Sequence, residues 1–304
     1  MLSFAPATSL GARRSRFRVA IIAALCGVAL LVGGCSALRI GYSQAADLTY
    51  WWLDGYADFN DDQTRRVREA LAQWFVWHRR TQLPEYAQQL ARAQTELRAD
   101  TTAGRVCEWQ GEVFRRARIG FEQAAPAAAE WALSVTPAQL QHIERRYAKT
   151  NAEFRDEYLQ EDLGKRFEAT MKRTVDRAES LYGRLDDAQR ARVAEAMARS
   201  PFDPELWLAE RQQRQQDALQ MLRRLTADGA SREQALAALR VYVDHLERSP
   251  RDAYQRYAER LSEFNCGFAA GLHNATSPAQ RRTAASKVGG WEGDLRALAA
   301  EAFK

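Results

Sequence analysis

The amino-acid sequence predicts an all-α fold, an elongated antiparallel bundle of long helices. Three observations lead to this prediction: apolar residues recur at helical spacing, no alternating strand pattern of useful length occurs, and only 8 of the 304 residues are proline. With 46% apolar residues, a chain of this length can bury one large core or two modest ones.

A leader occupies the N-terminus. Arginines between positions 13 and 18 precede an apolar run, Val19 to Val32, which is too short to span a bilayer comfortably. The following Gly33-Gly34-Cys35 resembles the bacterial lipobox, in which small residues precede a cysteine that receives diacylglycerol. We therefore predict a cleaved lipoprotein signal peptide at residues 1–34 and a lipid on Cys35. The alternative is an ordinary secretory signal with a coincidental cysteine.

The lipid determines the expected location. A thioether diacylglycerol and an N-acyl chain supply more hydrocarbon than the two signals that stable membrane anchoring needs. By resemblance to sorted lipoproteins, Ser36 rather than aspartate after the cysteine favours the outer membrane, with the protein facing the periplasm. We expect residues 35–47 to form a lipidated tether and residues 48–304 to form a single helical domain.

The formal net charge of +5 does not indicate a nucleic-acid partner. The leader holds four of the 44 Lys and Arg residues and none of the 39 Asp and Glu residues, so the mature chain keeps 40 basic and 39 acidic side chains. Near-neutral charge and an envelope location both argue against nucleic-acid binding. The expected partners are the membrane, through the N-terminal lipid, and an unidentified envelope protein or peptide.

Cysteine usage fits an oxidising compartment. Cys26 leaves with the leader and Cys35 carries lipid, so Cys107 and Cys266 remain in the mature chain. We expect these two residues to form a disulfide. The alternative is a pair of buried, unpaired cysteines on helix faces.

Helical spacing continues along the mature chain. The pattern from Thr136 to Tyr182 is interrupted only by Gly164 and predicts one or two long helices. Two further helices are predicted at Leu206–Leu225 and Leu236–Leu246, and aromatic and apolar residues at steps of three and four from Tyr254 to Phe268 predict a bundle seam. Prolines are expected at helix starts or breaks: Pro84, Pro126, Pro137, Pro201, Pro204, Pro250 and Pro278.

Four phrases share a pattern in which a capping residue precedes a glutamine by three positions. They are Asn60 to Gln63, Thr136 to Gln139, Asp186 to Gln189 and Ser277 to Gln280. Such spacing is typical of a capping box at a helix start. The phrases also resemble the Leu-Thr-x-x-Gln element of the Spy/CpxP group of periplasmic helical proteins, which includes an ATP-independent chaperone. That resemblance implies a client-binding surface as the alternative role.

The N-terminal part of the mature chain carries a longer set of motifs: Trp51 to Tyr56, Phe59 to Gln63, and Trp77-His78-Arg79 with Leu83-Pro84-x-Tyr86. Together they resemble an uncharacterised family of proteobacterial lipoproteins that carry a domain of unknown function, and the likeness covers the mature chain. The resemblance implies a lipid-anchored helical envelope protein. It brings no reaction and no ligand.

Aromatic and basic residues near the lipid end form a candidate binding surface: Trp51, Trp52, Trp77, His78 and Arg80. The indoles suit a membrane interface or an apolar partner, and Arg80 suits a carboxylate or phosphate. The alternative is that Trp74 and His78 are core neighbours one helical turn apart while the arginines face water.

No motif for a catalytic or metal site appears. The four histidines lack metal-ligand spacing, and the sequence has neither a Gly-x-Ser-x-Gly elbow, nor a phosphate-binding loop, nor a haem-attachment motif. We expect no cofactor and no metal. The sequence favours a non-enzymatic scaffold or a chaperone-like module that binds protein or peptide. The alternative is an enzyme that acts on envelope polymers through carboxylates in a cleft between helices.

Overall fold

A computed structural model describes residues 37–301, which form eleven α-helices and no β-strand. The all-α prediction is confirmed. The predicted signal peptide and Cys35 lie outside the described residues. The helices are α1 (Ala37–Ser43), α2 (Ala45–Ala57), α3 (Asp61–Glu96), α4 (Ala103–Ala132), α5 (Pro137–Tyr158), α6 (Leu163–Tyr182), α7 (Asp187–Arg199), α8 (Pro204–Ala227), α9 (Arg232–Glu247), α10 (Asp252–Asn274) and α11 (Pro278–Glu301).

The chain divides after Ser43, so that α1 belongs to an N-terminal unit and α2 to α11 belong to one compact unit. In the compact unit the 36-residue helix α3 packs along α11. Arg281 near the start of α11 pairs with Asp100, just beyond the end of α3, while Gly289 lies beside Gln94. Residue numbers therefore rise in opposite directions, and these two helices are antiparallel.

Two clusters of buried apolar residues lie within the compact unit, and further buried residues, such as Leu83 and Leu298, lie on α3 and α11. The larger joins the end of α4 to α5, α8 and α9 through residues that are at most 8% exposed, among them Ile143, Leu222 and Ala235. The smaller joins α6, α7 and α10 around Leu185 and Val193. Fully burying a large aliphatic side chain contributes about 1.5–3 kcal/mol, so each cluster stabilises the packing of the helices that it joins.

The segment from Thr136 to Tyr182, for which one or two long helices were expected, forms two helices, α5 and α6. The break lies at residues 159–162, before Gly164. Asp162 starts α6 by accepting hydrogen bonds from the amides of Gly164 (2.8 Å) and Lys165 (3.2 Å). An N-cap carboxylate therefore determines where the second helix begins, and the glycine lies in its first turn.

Two proline assignments were wrong. Pro84 lies inside α3 and Pro126 inside α4, whereas Pro137, Pro204 and Pro278 begin helices as expected. A proline in a helix interior costs about 3 kcal/mol, because it removes one hydrogen bond and crowds the preceding turn. The buried neighbours Leu83 and Ala87 in α3 and the buried alanines flanking Pro126 show that tertiary packing outweighs this cost.

The four predicted capping boxes are present at the starts of α3, α5, α7 and α11. In each box the cap side chain accepts from the glutamine amide, and the glutamine side chain accepts from the cap amide. Three of the four glutamines, Gln63, Gln139 and Gln189, are at most 5% exposed. A capping glutamine on a helix surface does not need such burial.

The first two boxes are joined to each other. Gln139 Nε2 donates to Gln63 Oε1 (2.6 Å), and Gln63 Nε2 donates to Gln139 Oε1 (3.3 Å). Each side-chain amide also donates to a backbone carbonyl just before the other glutamine's helix. Gln63 donates to the carbonyl of Ser134 (3.0 Å), and Gln139 donates to the carbonyl of Asp58 (2.9 Å). Each of these carbonyls lies two residues before the partner's cap. The helix starts of α3 and α5 therefore share one hydrogen-bond network.

The other two boxes repeat this arrangement. Gln189 Nε2 donates to Gln280 Oε1 (2.7 Å), and Gln280 Nε2 donates to Gln189 Oε1 (2.9 Å). Gln189 also donates to the carbonyl of Ala275, and Gln280 to that of Arg184, both at 2.9 Å. Again each carbonyl lies two residues before the partner's cap. We call these two networks the glutamine pairs, Gln63–Gln139 and Gln189–Gln280.

A fifth capping box starts α9 and provides a natural reference. Ser231 accepts from the Gln234 amide (3.3 Å), and Gln234 Oε1 accepts from the Ser231 amide (2.7 Å). Gln234 is exposed. This box was not predicted from the sequence, although its local pattern is the same.

Gln139→Ala should cost more stability than Gln234→Ala. The second change removes one exposed cap contact, worth about 0.5–1 kcal/mol. The first also removes the two hydrogen bonds between the Gln63 and Gln139 side chains and the bond from Gln139 to the Asp58 carbonyl. At about 0.5–1.5 kcal/mol for each net hydrogen bond, the expected loss rises to about 2–4 kcal/mol. Urea unfolding of both variants measures the difference. Equal losses would show that the pairing between helices contributes nothing.

Candidate functional site

The outer face of α2 exposes a stripe of large apolar side chains. Leu48, Trp51 and Trp52 are 60–64% exposed and lie at positions i, i+3 and i+4, which share one face of a helix. We call these three residues the aromatic stripe. Large exposed apolar side chains grouped on one face are typical of interaction surfaces.

The opposite face of α2 is fixed to α3. Tyr50 is buried, its hydroxyl lies 3.0 Å from Thr64 Oγ1, and the guanidinium of Arg68 lies 3.7 Å from its ring centroid. Arg68 also pairs with Asp47 at 2.9 Å. These contacts set the rotation of α2 about its axis and so turn the aromatic stripe to solvent.

The predicted surface residues on α3 have two different environments. His78 is partly buried: its ring stacks on Trp74 (centroids 4.6 Å apart) and lies edge-on to Tyr86. Trp74 in turn donates to the carbonyl of Gly120 on α4 (2.9 Å). Burial lowers the pKa of His78 to about 4. The ring is therefore neutral near pH 7 and acts as a packing group.

Trp77 and Arg80 border a shallow groove on the solvent side of α3, about 500 Å³ in volume, which Val76 also lines. Val76 is 51% exposed and Arg80 is exposed. This groove and the aromatic stripe are separate surfaces. Trp51 of the stripe lies beside Arg68 of α3. Arg68 precedes Trp77 by nine residues, which correspond to about 13 Å along the helix.

Cys107 and Cys266 are joined by a disulfide that links α4 to α10, with Cα atoms 5.5 Å apart. Gln110, one turn along α4, accepts a hydrogen bond from Ser262 on α10 (2.8 Å). The two helices are thus tied over adjacent turns.

The acidic side chain most relevant to a carboxylate-based enzyme is Glu210, the one acidic residue among the buried side chains of residues 37–301. Its Oε1 accepts from Ser249 (2.8 Å), Arg214 (2.9 Å) and Arg251 (3.2 Å). These donors come from α8 and from the connection between α9 and α10. The carboxylate therefore holds that connection against α8.

Within residues 37–301, no group of histidine, cysteine and acidic side chains has the arrangement of a metal site. Across the same residues, no helix combines the length and apolar character that a membrane span requires.

The fold and these surfaces define a helical-bundle protein with an exposed aromatic stripe and a shallow groove beside Arg80. The chain belongs to a family of unknown function (DUF6279), whose model matches residues 55–266. The prediction of an uncharacterised family is thus confirmed, while lipoprotein character and the likeness to Spy/CpxP proteins stay predictions. No curated protein and no solved structure matches the chain.

Replacing His78 by Phe should reduce the acid sensitivity of the fold. The lowered pKa means that the unfolded chain takes up a proton below pH 6.5 that the folded ring accepts only near pH 4. Stability from this residue is complete above pH 6.5 and is lost as the pH falls. Allowing for solvent screening of a partly exposed ring, the loss is about 1–2 kcal/mol. Unfolding free energies at pH 7 and 5 measure it, and equal pH dependence in wild type and variant would contradict it.

Proposed function

We propose that this protein is a lipid-anchored, non-enzymatic module of the outer membrane that binds apolar segments of other proteins in the periplasm. The anchor rests on the order of features in the leader: arginines, an apolar run and Gly33-Gly34-Cys35. Ser36 after the cysteine supports the outer membrane as the location.

The observation that carries the binding role is the aromatic stripe. Its three large side chains are more than half exposed on a helix whose other face is firmly attached to α3. Tryptophan provides a large apolar area together with a polar N–H, a combination enriched at protein interfaces. The groove at Trp77 and Arg80 adds a second apolar surface beside a cationic side chain. Both surfaces suit an unfolded segment with apolar and acidic residues.

Lipid attachment is tested with labelled palmitate in cells that express the full chain. Cys35→Ser should abolish labelling and release the protein from the membrane fraction, because the acceptor sulfur is lost. Cys26→Ser is the matched control: it removes a cysteine from the same leader and should leave labelling unchanged. Labelling that survives in Cys35→Ser would contradict the anchor.

The binding role is tested by light scattering of reduced, aggregating lysozyme. The wild-type protein should suppress aggregation near stoichiometric ratios, and Trp51→Ser/Trp52→Ser should lose most of this effect while keeping its unfolding midpoint, because both indoles are exposed. Trp291→Ser changes another exposed tryptophan, 43% exposed on α11, and should behave like wild type. A wild-type protein without effect, or a double variant that matches it, would refute the role.

A further inference from the structure

A cleft of about 890 Å³ lies between the C-terminal end of α3 and the first turns of α11. Three arginines line it: Arg98 from the segment after α3, and Arg281 and Arg282 from α11. None of the residues lining the cleft is acidic. The first turn of α11 adds the positive end of a 24-residue helix.

The three arginines differ in what they already bind. Arg281 is largely buried and pairs with Asp100 (2.5 Å) and the carbonyl of Asn274 (3.2 Å), so its guanidinium is engaged in the fold. Arg98 and Arg282 are exposed, and neither contacts an acceptor in the described part of the chain. Two guanidinium groups at one cleft thus keep their hydrogen-bond donors available, and their planar forks match the oxygens of phosphate or carboxylate.

Neutral polar groups complete the lining. Gln94 lines the cleft and packs against Gly289. A Cβ atom at position 289 would overlap the side-chain amide nitrogen of Gln94, so the glycine makes room for this side chain. Ser286 adds an exposed hydroxyl. Neither side chain has a hydrogen-bond partner among residues 37–301. A volume of this size suits a small-molecule ligand larger than a single ion.

We propose that this cleft binds a small polar ligand that carries an anionic group, a phosphate or a carboxylate, with Arg98 and Arg282 contacting the anion and Gln94 and Ser286 contacting neighbouring hydroxyl or amide groups. The site is independent of the lipid anchor. It is also separate from the aromatic stripe, because Arg98 lies thirty residues after Arg68 and about 45 Å further along α3.

The test is calorimetric titration of the full chain, purified in a neutral detergent, with glucose 1-phosphate, glucuronate and glucose at fixed ionic strength. At least one of the two anions should bind, and glucose should not. Arg98→Gln/Arg282→Gln should weaken binding about tenfold or more, since each loses a charge-assisted hydrogen bond. Both side chains are exposed and unpaired, so the unfolding midpoint should not change; the single Arg98→Gln variant gives an intermediate affinity.

The matched control is Arg256→Gln/Arg260→Gln, which removes the same charge from exposed arginines at least fourteen residues, about 20 Å, before the end of α10. It should leave binding unchanged. Binding of only one anion identifies the ligand as a phosphate or as a carboxylate. The proposal is overturned if neither anion binds, if glucose binds equally well, if the cleft variant binds like wild type, or if both double variants weaken binding to the same extent.

Discussion

Two reciprocal hydrogen-bonded glutamine pairs, Gln63–Gln139 and Gln189–Gln280, position four helix starts relative to one another. Every helix start leaves backbone N–H groups without a partner inside the helix, and a capping box satisfies some of them locally. Here the capping glutamine also binds the start of a second helix. One side chain therefore caps its own helix and holds the start of a neighbouring helix in place. Replacing one glutamine of a pair removes hydrogen bonds that its partner makes at a largely buried position, which costs stability beyond the loss of the cap itself. Each glutamine pair therefore positions one helix start against another.

The two glutamine pairs are separated in the chain but share one design. Gln63–Gln139 joins the starts of α3 and α5, and Gln189–Gln280 joins the starts of α7 and α11. Because α3 and α11 also pack along each other, the second junction is connected to the first through a long helix pair. The disulfide between α4 and α10 adds a covalent link.

This framework leaves different chemistry at the two ends of α3. Near its start, α2 presents the aromatic stripe, close in sequence to the predicted lipid site. At its other end, α11 approaches with its positive helix terminus, and the unpaired Arg98 and Arg282 gather there. An apolar surface and an arginine-lined cleft thus lie about 45 Å apart along one long helix. The first suits protein segments and the second suits a small charged ligand.

The sequence predicts hydrogen bonds between residues within one helical turn, but it does not predict which distant residues meet when the helices pack. The spacing of Thr136 and Gln139 predicts a capping box because both partners lie within one helical turn. That Gln139 also meets Gln63 depends on the packing of whole helices. The same is true of the arginine cleft: Arg281 and Arg282 are adjacent in sequence, but Arg98 joins them only through the antiparallel packing of α3 and α11. Pro84 shows the converse. The local preference of proline predicts a helix break there, but the burial of Leu83 and Ala87 keeps the helix continuous.

A double-mutant cycle between Gln63 and Gln139 measures whether the starts of α3 and α5 are energetically coupled. Unfolding free energies of Gln63→Ala, Gln139→Ala and the double variant give the coupling energy between the two side chains. The reciprocal pair predicts a coupling of about 1–3 kcal/mol, and a parallel cycle between Gln63 and the exposed Gln234 should give about zero. Additive losses at Gln63 and Gln139, within about 0.5 kcal/mol, would show that the two glutamines are independent caps and do not couple the helix starts.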